Sequence, residues 1–379
     1  MKWGLYIHVP FCRQKCFYCD FPSWAGKDNL MEDYAEAITA EFAQKRKAVT
    51  PPATVYIGGG TPTALPKDLL KRIIDGAAKY FFDGKIPTNP HFEFTCEVNP
   101  GTVDFDYLAM LKNCGVNRLS VGVQSLNDRL LKTIGRIHDA KTAKDCIRAA
   151  RAAGFKNIGT DIIYALPTQT TDEFAADLSE IIALSPEHIS VYGLTVEEGT
   201  KFFAERKKNN LPLPTEEETD AMYALMTEKL PAEGYNRYEI SNFAKKNYQS
   251  RHNLGYWQWR PYMGAGCGAH SFWGGERFMN NASLEGYMLD IAHGKFFGAR
   301  ESKRSEKDAM AEFCFLALRT AAGVDKEKFA AEFSRDFDEV YGETTAKFIE
   351  LGAMIETKRQ VVLTELGMKY GNMIFAEFV

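Results

Sequence analysis

The sequence lacks the long apolar runs by which a chain crosses a membrane. Nowhere in its 379 residues is there an apolar run of about 18 residues, the length that a membrane-spanning helix needs. The opening MKWGLYIHVPF also lacks the apolar core and the small-residue cleavage site of a signal peptide. These absences argue against an integral membrane segment and predict a cytoplasmic protein.

The chain has no excess of charge of one sign. Lys and Arg total 46 and Asp and Glu total 50, which gives a formal net charge of −4 at pH 7. Such a chain has no general attraction for nucleic acid or for an anionic membrane. We therefore expect no nucleic-acid partner, and other partners must be inferred from individual sites.

The residues that are present alternate between short β-rich runs and helical patterns. Six runs read as strands: GLYIHVP, TVYIGGG, HFEFTCEVNP, RLSVGVQS, NIGTDIIYALP and HISVYGLTV. Between them, patterns such as PKDLLKRIIDGAAKYF repeat apolar residues at helical spacing. Six βα units in succession predict an α/β fold with a parallel sheet and right-handed crossovers, either open or curled into a barrel.

Beyond residue 235 the alternation stops. A stretch rich in aromatics and glycine follows, which we expect to be irregular, and the tail then reads as three helices, a short hairpin in AMIETKRQVVLTELG and a further helix. That tail is typical of winged-helix domains, although its mixed charges argue against DNA binding. We predict three segments: a barrel over 1–235, an aromatic- and glycine-rich extension over 236–300, and a helical, winged-helix-like domain over 301–379.

Three of the eight cysteines lie together near the N-terminus, in YIHVPFCRQKCFYCDF. Cys12, Cys16 and Cys19 have the spacing C-x3-C-x2-C, and a cytoplasmic chain should keep them reduced and available to a metal. A structural zinc site would need a fourth ligand, for which His8 is the nearest candidate. A 4Fe-4S cluster held by three thiolates leaves one iron open for a small ligand. The motif favours the iron-sulfur cluster, with zinc as the alternative.

Polar and glycine-rich residues cluster at or just after the ends of the predicted strands. Glycines in GGGTPT permit backbone conformations that are closed to other residues, and they bring backbone N–H and C=O groups close to a ligand. Carboxylate and amide side chains suit the hydroxyl or ammonium groups of a ligand. In α/β barrels this edge of the sheet is where sites are built. The residues concerned are Gly58, Gly59, Gly60, Thr61, Glu97, Gln124, Asp161 and Thr195.

This set of motifs resembles the radical S-adenosyl-L-methionine (SAM) enzymes, and among them the family of oxygen-independent coproporphyrinogen III oxidase and its HemW relatives. The resemblance rests on YIHVPFC, YIGGGTPT, EVNPGT, RLSVGVQSLNDRLLKTIGRIH, DIIYALPTQT, and YEISNFA followed by RHNLGYW. It implies a partial (β/α)6 radical SAM barrel. It also implies that Cys12, Cys16 and Cys19 bind a 4Fe-4S cluster whose fourth iron takes the amino and carboxylate groups of SAM.

The resemblance assigns further residues to SAM. The glycine-rich strand end would hold the charged methionyl part, and Arg136 would offer a fixed fork of donors to a carboxylate. Tyr6 and Tyr18, on either side of the cluster, are expected to pack on SAM or to shield the iron. The remaining positions that match SAM contacts are Gly59, Gly60, Thr61, Glu97, Gln124 and Asp161.

Two departures separate this sequence from the oxidase. The oxidase has a fourth cysteine two residues after the third, where this chain has Phe21, and it has an additional N-terminal segment that is missing here. Both favour a HemW-like heme chaperone, which the resemblance implies to bind heme and SAM and to hand heme to acceptor proteins such as respiratory enzymes. The alternative is a radical SAM enzyme that acts on a tetrapyrrole, as an oxidase or a methyltransferase.

The HemW relatives carry the motif HNxxYW, formed here by His252, Asn253, Tyr256 and Trp257. We predict His252 as the heme ligand, because neutral imidazole is a standard axial donor to heme iron. His270, which follows the glycine-rich GAGCGA, is the competing ligand. The aromatic rings of the motif would supply flat apolar surface for a porphyrin face, and Arg251 and Arg260 would meet its propionates.

Overall fold

The β-rich runs of the sequence form strands, and several shorter strands, some of only two residues, accompany them. The computed structural model describes residues 2–46, 49–301 and 304–379. The strands in chain order are β1 (Gly4–Val9), β2 (Phe11–Cys12), β3 (Trp24–Ala25), β4 (Thr54–Gly59), β5 (Glu93–Val98), β6 (Arg118–Gln124), β7 (Ile158–Tyr164), β8 (His188–Gly193), β9 (Asn236–Arg237), β10 (Asn242–Ala244), β11 (Tyr262–Ala265), β12 (His270–Trp273), β13 (Glu276–Met279), β14 (Ala299–Arg300), β15 (Val324–Asp325), β16 (Met354–Glu356) and β17 (Gln360–Leu363).

The segments with helical spacing form helices. Several begin at a side-chain cap, as at Thr170, whose hydroxyl accepts from the backbone N–H of Glu173 in a capping box. The helices in chain order are α1 (Met31–Lys45), α2 (Lys67–Phe81), α3 (Phe105–Asn113), α4 (Asp128–Thr133), α5 (Ala140–Ala152), α6 (Thr171–Ala183), α7 (Lys201–Lys207), α8 (Glu216–Ala232), α9 (Arg251–Trp257), α10 (Leu284–Ala292), α11 (Glu306–Leu318), α12 (Lys326–Phe333), α13 (Phe337–Glu350), α14 (Glu365–Lys369) and α15 (Gly371–Ala376).

A parallel array of strands is the centre of the fold. Within the described residues, twelve strands form one sheet in the order β14-β13-β12-β11-β1-β4-β5-β6-β7-β8-β10-β9. The six strands predicted from the sequence, β1 and β4 to β8, lie side by side in chain order and pair in parallel. The predicted fold class, an α/β partial (β/α)6 barrel followed by a small C-terminal domain, is confirmed.

The glycine-rich segment after residue 235 extends this sheet at both edges. β11 pairs in parallel with β1, and β12, β13 and β14 continue beyond it antiparallel. β10 and β9 extend the opposite edge beside β8. Glycine is depleted in strands, so the glycines of this segment weaken its strand signal. The fold nevertheless requires glycine here, because a Cβ at Gly264 would lie 2.2 Å from the carbonyl oxygen of His270. The expectation of an irregular stretch is wrong for that reason, while the limits at 235 and 300 stay predictions.

Apolar packing fills the space between the sheet and its helices. Ile57, Phe94 and Leu119 on the central strands are fully buried. On the covering layer, the rings of Phe42 in α1 and Phe81 in α2 have centroids 5.7 Å apart. Burial lessens toward the carboxyl ends of β4, β6 and β7. The apolar core therefore gives way to polar residues at the edge where the strands end.

The C-terminal residues form a small domain with its own core, which includes Cys314, Phe329, Phe348 and Val361. Its order is α11, β15, α12, α13, the β16–β17 hairpin, α14 and α15, and its strands pair as β15-β17-β16. The predicted helices and hairpin are confirmed. Trp259, which follows α9, packs against this core. Among the described helices, none combines the length and apolarity needed to cross a membrane.

Candidate functional site

A cavity of about 460 Å³ lies at the carboxyl ends of the parallel strands. Parallel strands bring their ends to one edge, so residues far apart in sequence meet there. We call it the cluster cavity. The residues predicted from the sequence that line it are Cys12, Cys16, Tyr18, Cys19, Gly59, Gly60, Thr61, Glu97, Gln124, Arg136, Asp161 and Thr195.

The three cysteines lie on the segment that follows β1. Cys12 ends β2, and the backbone N–H of Cys19 donates to the carbonyl of Cys16 at 3.2 Å, which closes a turn between them. A Cβ on Gly60 would lie 2.9 Å from the Cys12 Sγ, so glycine is what lets the chain just after β4 approach this thiol. The Cys12 Sγ also lies 3.6 Å from the Thr61 hydroxyl.

The donor set supplies three thiolates, the ligands of a 4Fe-4S cluster with one open iron. In the part of the chain that the structure describes, no three His, Cys, Asp or Glu side chains converge on one metal position. Tetrahedral zinc takes four ligands on one ion, whereas in a 4Fe-4S cluster each thiolate binds a different iron. His8, the candidate fourth zinc ligand, already pairs through Nδ1 with the Tyr6 hydroxyl at 2.9 Å and through Nε2 with the Pro22 carbonyl at 2.9 Å.

Burial sets the protonation of two of these thiols, those of Cys12 and Cys19. It raises the pKa of the Cys12 thiol and raises the pKa of the Cys19 thiol to about 11. Both are therefore neutral at pH 7 in the absence of iron. A bound metal ion reverses this, because a coordinating thiol loses its proton outright.

Glu97 stands at the end of β5, facing the glycine-rich end of β4. Its carboxylate accepts from the Tyr56 hydroxyl at 2.8 Å and from the backbone N–H of Gly59 at 3.2 Å. Burial raises the pKa of Glu97 to about 7, and the nearby Asp161 adds to the rise. A Cβ on Gly58 would lie 2.8 Å from the Glu97 Oε1, so the glycine run makes room for this carboxylate.

The backbone is distorted where β6 ends. Gln124 has a φ of +67°, a left-handed conformation that costs a non-glycine residue roughly 1–2 kcal/mol. The register of β6 with β7 shifts between Gly122 and Gln124, as in a β-bulge, which re-aims a side chain. Arg136 reaches this point, donating to the Gly122 carbonyl at 2.7 Å and to the Asn99 side chain, while its other Nη lies 3.5 Å from the Cys16 Sγ.

Sequence reasoning missed Arg118 and Ser120, which line the cavity together with the predicted Asp161. Asp161 accepts from the Ser120 hydroxyl at 3.2 Å, and burial raises the pKa of its carboxyl. Arg118 is 1 % exposed and also lines the cavity. Burial disfavours its charge, but Glu93 and other anionic neighbours raise its pKa. Side chains two positions apart on a strand share a face, so Ser120 and Arg118 lie on the same face of β6 as Gln124. Both could therefore have been predicted from the sequence.

Tyr6, which the resemblance assigned to SAM or the iron, lies outside the cluster cavity. Tyr6 lines a second cavity of about 470 Å³, which we call the aromatic cavity. Phe21 is 61 % exposed and lines both cavities, so they share a wall. The other aromatic side chains of this cavity are Tyr256, Trp257, Trp259, Tyr262 and Phe272.

His252 is buried and lines neither of these two cavities. Its Nδ1 pairs with the Thr54 hydroxyl at 2.8 Å and its Nε2 with the Tyr256 hydroxyl at 2.7 Å. Burial, with the nearby charge of Arg118, lowers the pKa of this imidazole to about 3. His252 is therefore neutral, with both nitrogens engaged, and its role as a heme ligand stays a prediction. Of the same motif, Asn253 lines the cluster cavity.

Two family models match the chain. Residues 6–181 match the radical SAM superfamily and residues 305–369 match the HemN C-terminal domain. The coproporphyrinogen III oxidase (HemN) from Escherichia coli has the same fold, with a TM-score of 0.85 over 100% of this chain and 91% of that chain, at 22% identity.

Curated relatives match at higher identity. Heme chaperone HemW of Bacillus subtilis is 36% identical over 377 residues, 99% of this chain and 98% of that protein. Heme chaperone HemW of Lactococcus lactis is 34% identical over 99% of this chain and 96% of that protein. The Escherichia coli HemW is 38% identical over 70% of this chain and 69% of that protein. The chain belongs to the HemW family of the radical SAM superfamily.

Proposed function

We propose that this protein is a heme chaperone that carries a 4Fe-4S cluster, binds SAM and heme, and delivers heme to acceptor proteins. The observation that carries the proposal is the pair of adjoining cavities. One brings three cysteines together with polar strand-end residues, and the other is walled by the aromatic side chains of the HNxxYW segment. The curated relatives are named for the same task.

The cluster cavity would hold the cluster and SAM. Cys12, Cys16 and Cys19 supply three thiolates, and the bound cluster would offer its fourth iron to the amino and carboxylate groups of SAM. Glu97 and Asp161 accept hydrogen bonds, which suits ribose hydroxyls or an ammonium group. Donors for a carboxylate would come from Arg136, Gln124, Thr61 and the Gly59–Gly60 backbone. Tyr18 would lie beside the thiols, and all of these residues line the cluster cavity.

Phe21 supports the chaperone over the oxidase. It places an apolar ring, without a thiol, at the wall between the two cavities. A ring can pack against a porphyrin but cannot bind metal or exchange electrons. The second candidate, a radical SAM enzyme acting on a tetrapyrrole, is supported by the complete set of polar residues at the strand ends.

The acceptors and the setting are part of the proposal. Respiratory enzymes that need heme are the proposed acceptors, the cytoplasm is the proposed location, and no nucleic-acid partner is expected. The three segments 1–235, 236–300 and 301–379 are the proposed domain organisation.

One preparation tests the function. The protein is reconstituted anaerobically with iron and sulfide, titrated with heme, and then assayed for 5′-deoxyadenosine and for transfer of heme to an apo-acceptor. We expect heme binding and transfer, with coproporphyrinogen III left unconverted in the presence of SAM and a reductant. Accumulation of protoporphyrinogen together with 5′-deoxyadenosine would make the oxidase the correct function, and failure to bind heme would refute the chaperone.

A further inference from the structure

We infer that the aromatic cavity receives the heme and that His270, at the start of β12, is its axial ligand. This inference rests on the proposed function, since heme is the cargo that the function supplies. It differs from the prediction for His252, which belongs to the HNxxYW motif. The cavity, of about 470 Å³, is lined by His270 and by aromatic side chains.

The geometry of His270 is that of a metal-binding histidine. Its side chain is 51% exposed, and its Nδ1 lies 2.8 Å from the Glu301 Oε1. A carboxylate can only accept, so Nδ1 must carry the proton of this hydrogen bond. Within the described residues Nε2 has no hydrogen-bond partner, and in the neutral ring it holds the lone pair. Metal-ligating histidines usually donate their other N–H to a carboxylate, which orients the ring and raises its basicity.

His252 lacks both of these properties. It is 3% exposed, and a metal could reach its nitrogens only after the hydrogen bonds to Thr54 and Tyr256 had broken. Breaking those bonds would leave buried polar groups without a partner, which opposes metal binding at this imidazole. His252 instead orients Tyr256, which lines the aromatic cavity. We assign it a positioning role.

Trp259, which lines the aromatic cavity, has a strained backbone that the packing around its ring holds in place. Its φ is +58°, a left-handed conformation that is unusual for a bulky residue. The indole packs edge-on against Phe272, with ring centroids 4.7 Å apart, and the Arg304 guanidinium lies 4.7 Å from the indole ring. Strain of this kind persists where the surroundings enforce it, and it clusters at ligand sites.

Charges at the cavity suit the two propionates of heme. Arg260 lines the cavity and is exposed, and within the described residues its guanidinium has no hydrogen bond or ion pair. Arg277 also lines the cavity, but Glu312 and the Tyr262 hydroxyl already hold it. An unpaired guanidinium is well matched to a carboxylate, which it binds with two parallel hydrogen bonds. Arg260 is therefore the propionate partner.

The test is a heme titration of the full-length, reconstituted protein, in which the position of the Soret band and the affinity for heme are measured. Glu301→Gln should weaken binding roughly 10-fold, as for loss of an outer partner of a ligand, and His270→Ala should weaken it more and shift the Soret band. Added imidazole should restore the parent band in His270→Gly. His293→Ala, which removes an exposed histidine outside the cavity, should keep the parent band and affinity. His252→Ala should lower the affinity, because Tyr256 loses its partner, without moving the Soret band.

The outcomes separate the inference from the function. If His270→Ala keeps the parent's Soret band and affinity, or if imidazole fails to rescue His270→Gly, His270 is not the ligand, although the protein still binds heme. Loss of the band in His252→Ala alone would assign the ligand to His252. If the parent protein does not bind heme, the proposed function and this inference are both wrong.

Discussion

Glu97 brings a group that titrates near neutral pH into the cluster cavity. Its pKa is raised from 4.5 to about 7 because burial disfavours the carboxylate. The folded protein therefore keeps this proton up to about pH 7, whereas the unfolded chain releases it near pH 4.5. Stability falls with pH wherever the folded state binds more protons than the unfolded state. Glu97 thus lowers the free energy of unfolding as the pH rises between these two values.

Replacing Glu97 by Gln should remove that dependence. Between pH 5 and pH 8 the cluster-free parent should lose roughly 2–3 kcal/mol more stability than Glu97→Gln, since each pKa unit is worth about 1.4 kcal/mol. Urea unfolding at both pH values measures the difference. Other buried carboxyls, such as Asp177, whose pKa burial raises to about 6, contribute equally to both proteins and cancel. Equal losses in the two proteins would show that Glu97 is already ionised at pH 5.

At this scale the sequence predicted the residues that carry a motif or end a strand. The C-x3-C-x2-C spacing and the strand-end positions of Glu97 and Asp161 led to one cavity. Tyr6 was assigned to the cluster but lies on the aromatic cavity. The state of His252 could not be predicted, because its partner Thr54 is 198 positions away and the contact exists only in the folded protein.

Helix α9 carries the whole HNxxYW motif, and a residue of strand β5 holds its first turn. Backbone N–H groups at helix N-termini have no partner inside the helix. Here those of Arg251 and His252 donate to the Glu93 carboxylate, each at 2.9 Å. The Ser250 side chain caps the same turn by accepting from the N–H of Asn253. Glu93 is buried, so these are charge-assisted bonds shielded from water.

Glu93→Ala should therefore destabilise the protein by about 2–3 kcal/mol, because two helix donors and the nearby Arg118 lose their anionic partner. Denaturant unfolding measures this value. Glu36→Ala, at an exposed position of α1, is the matched control and should change the free energy of unfolding by less than about 0.5 kcal/mol. A loss of the same size in both variants would mean that Glu93 does not anchor α9.

Among the elements, the six parallel strands and their helices could be predicted, because each is encoded by a local pattern. The strands between residues 235 and 300 could not. β11 joins the sheet through pairs such as Tyr6 with Gly264, which are distant in sequence. A buried ion pair also contacts β11: the ammonium of Lys45 pairs with Glu41 and donates to the Gly264 carbonyl at 2.5 Å. Nothing in the local sequence reveals such a contact.

In the whole molecule, the aromatic cavity lies where the extended sheet meets the C-terminal domain. Leu316 of α11 lines the cavity, and Trp259 and Phe313 have ring centroids 5.9 Å apart across the junction. The Arg319 guanidinium lies 4.7 Å from the ring of Trp257. A ligand in this cavity would therefore contact both parts of the molecule and favour the arrangement in which they are packed together.

Heme binding should therefore slow amide hydrogen exchange in α9 and α11 together, because a ligand that binds only the folded state suppresses local opening. Helices α5 and α6, which lie outside the cavity, serve as the internal control and should exchange at an unchanged rate. Hydrogen exchange followed by mass spectrometry, with and without heme, measures all four helices. Protection of α9 without protection of α11 would place the heme away from the junction.

The most direct test of the whole picture is the metal content of the anaerobically reconstituted protein. The parent should contain about four iron and four sulfide per chain, and addition of SAM should change the spectrum of the reduced cluster. Cys114→Ala, which alters a cysteine outside the cluster cavity, should match the parent, whereas Cys16→Ala should lose the cluster. One zinc per chain without iron and sulfide, or a Cys16→Ala variant with the full cluster, would contradict the three-cysteine cluster site.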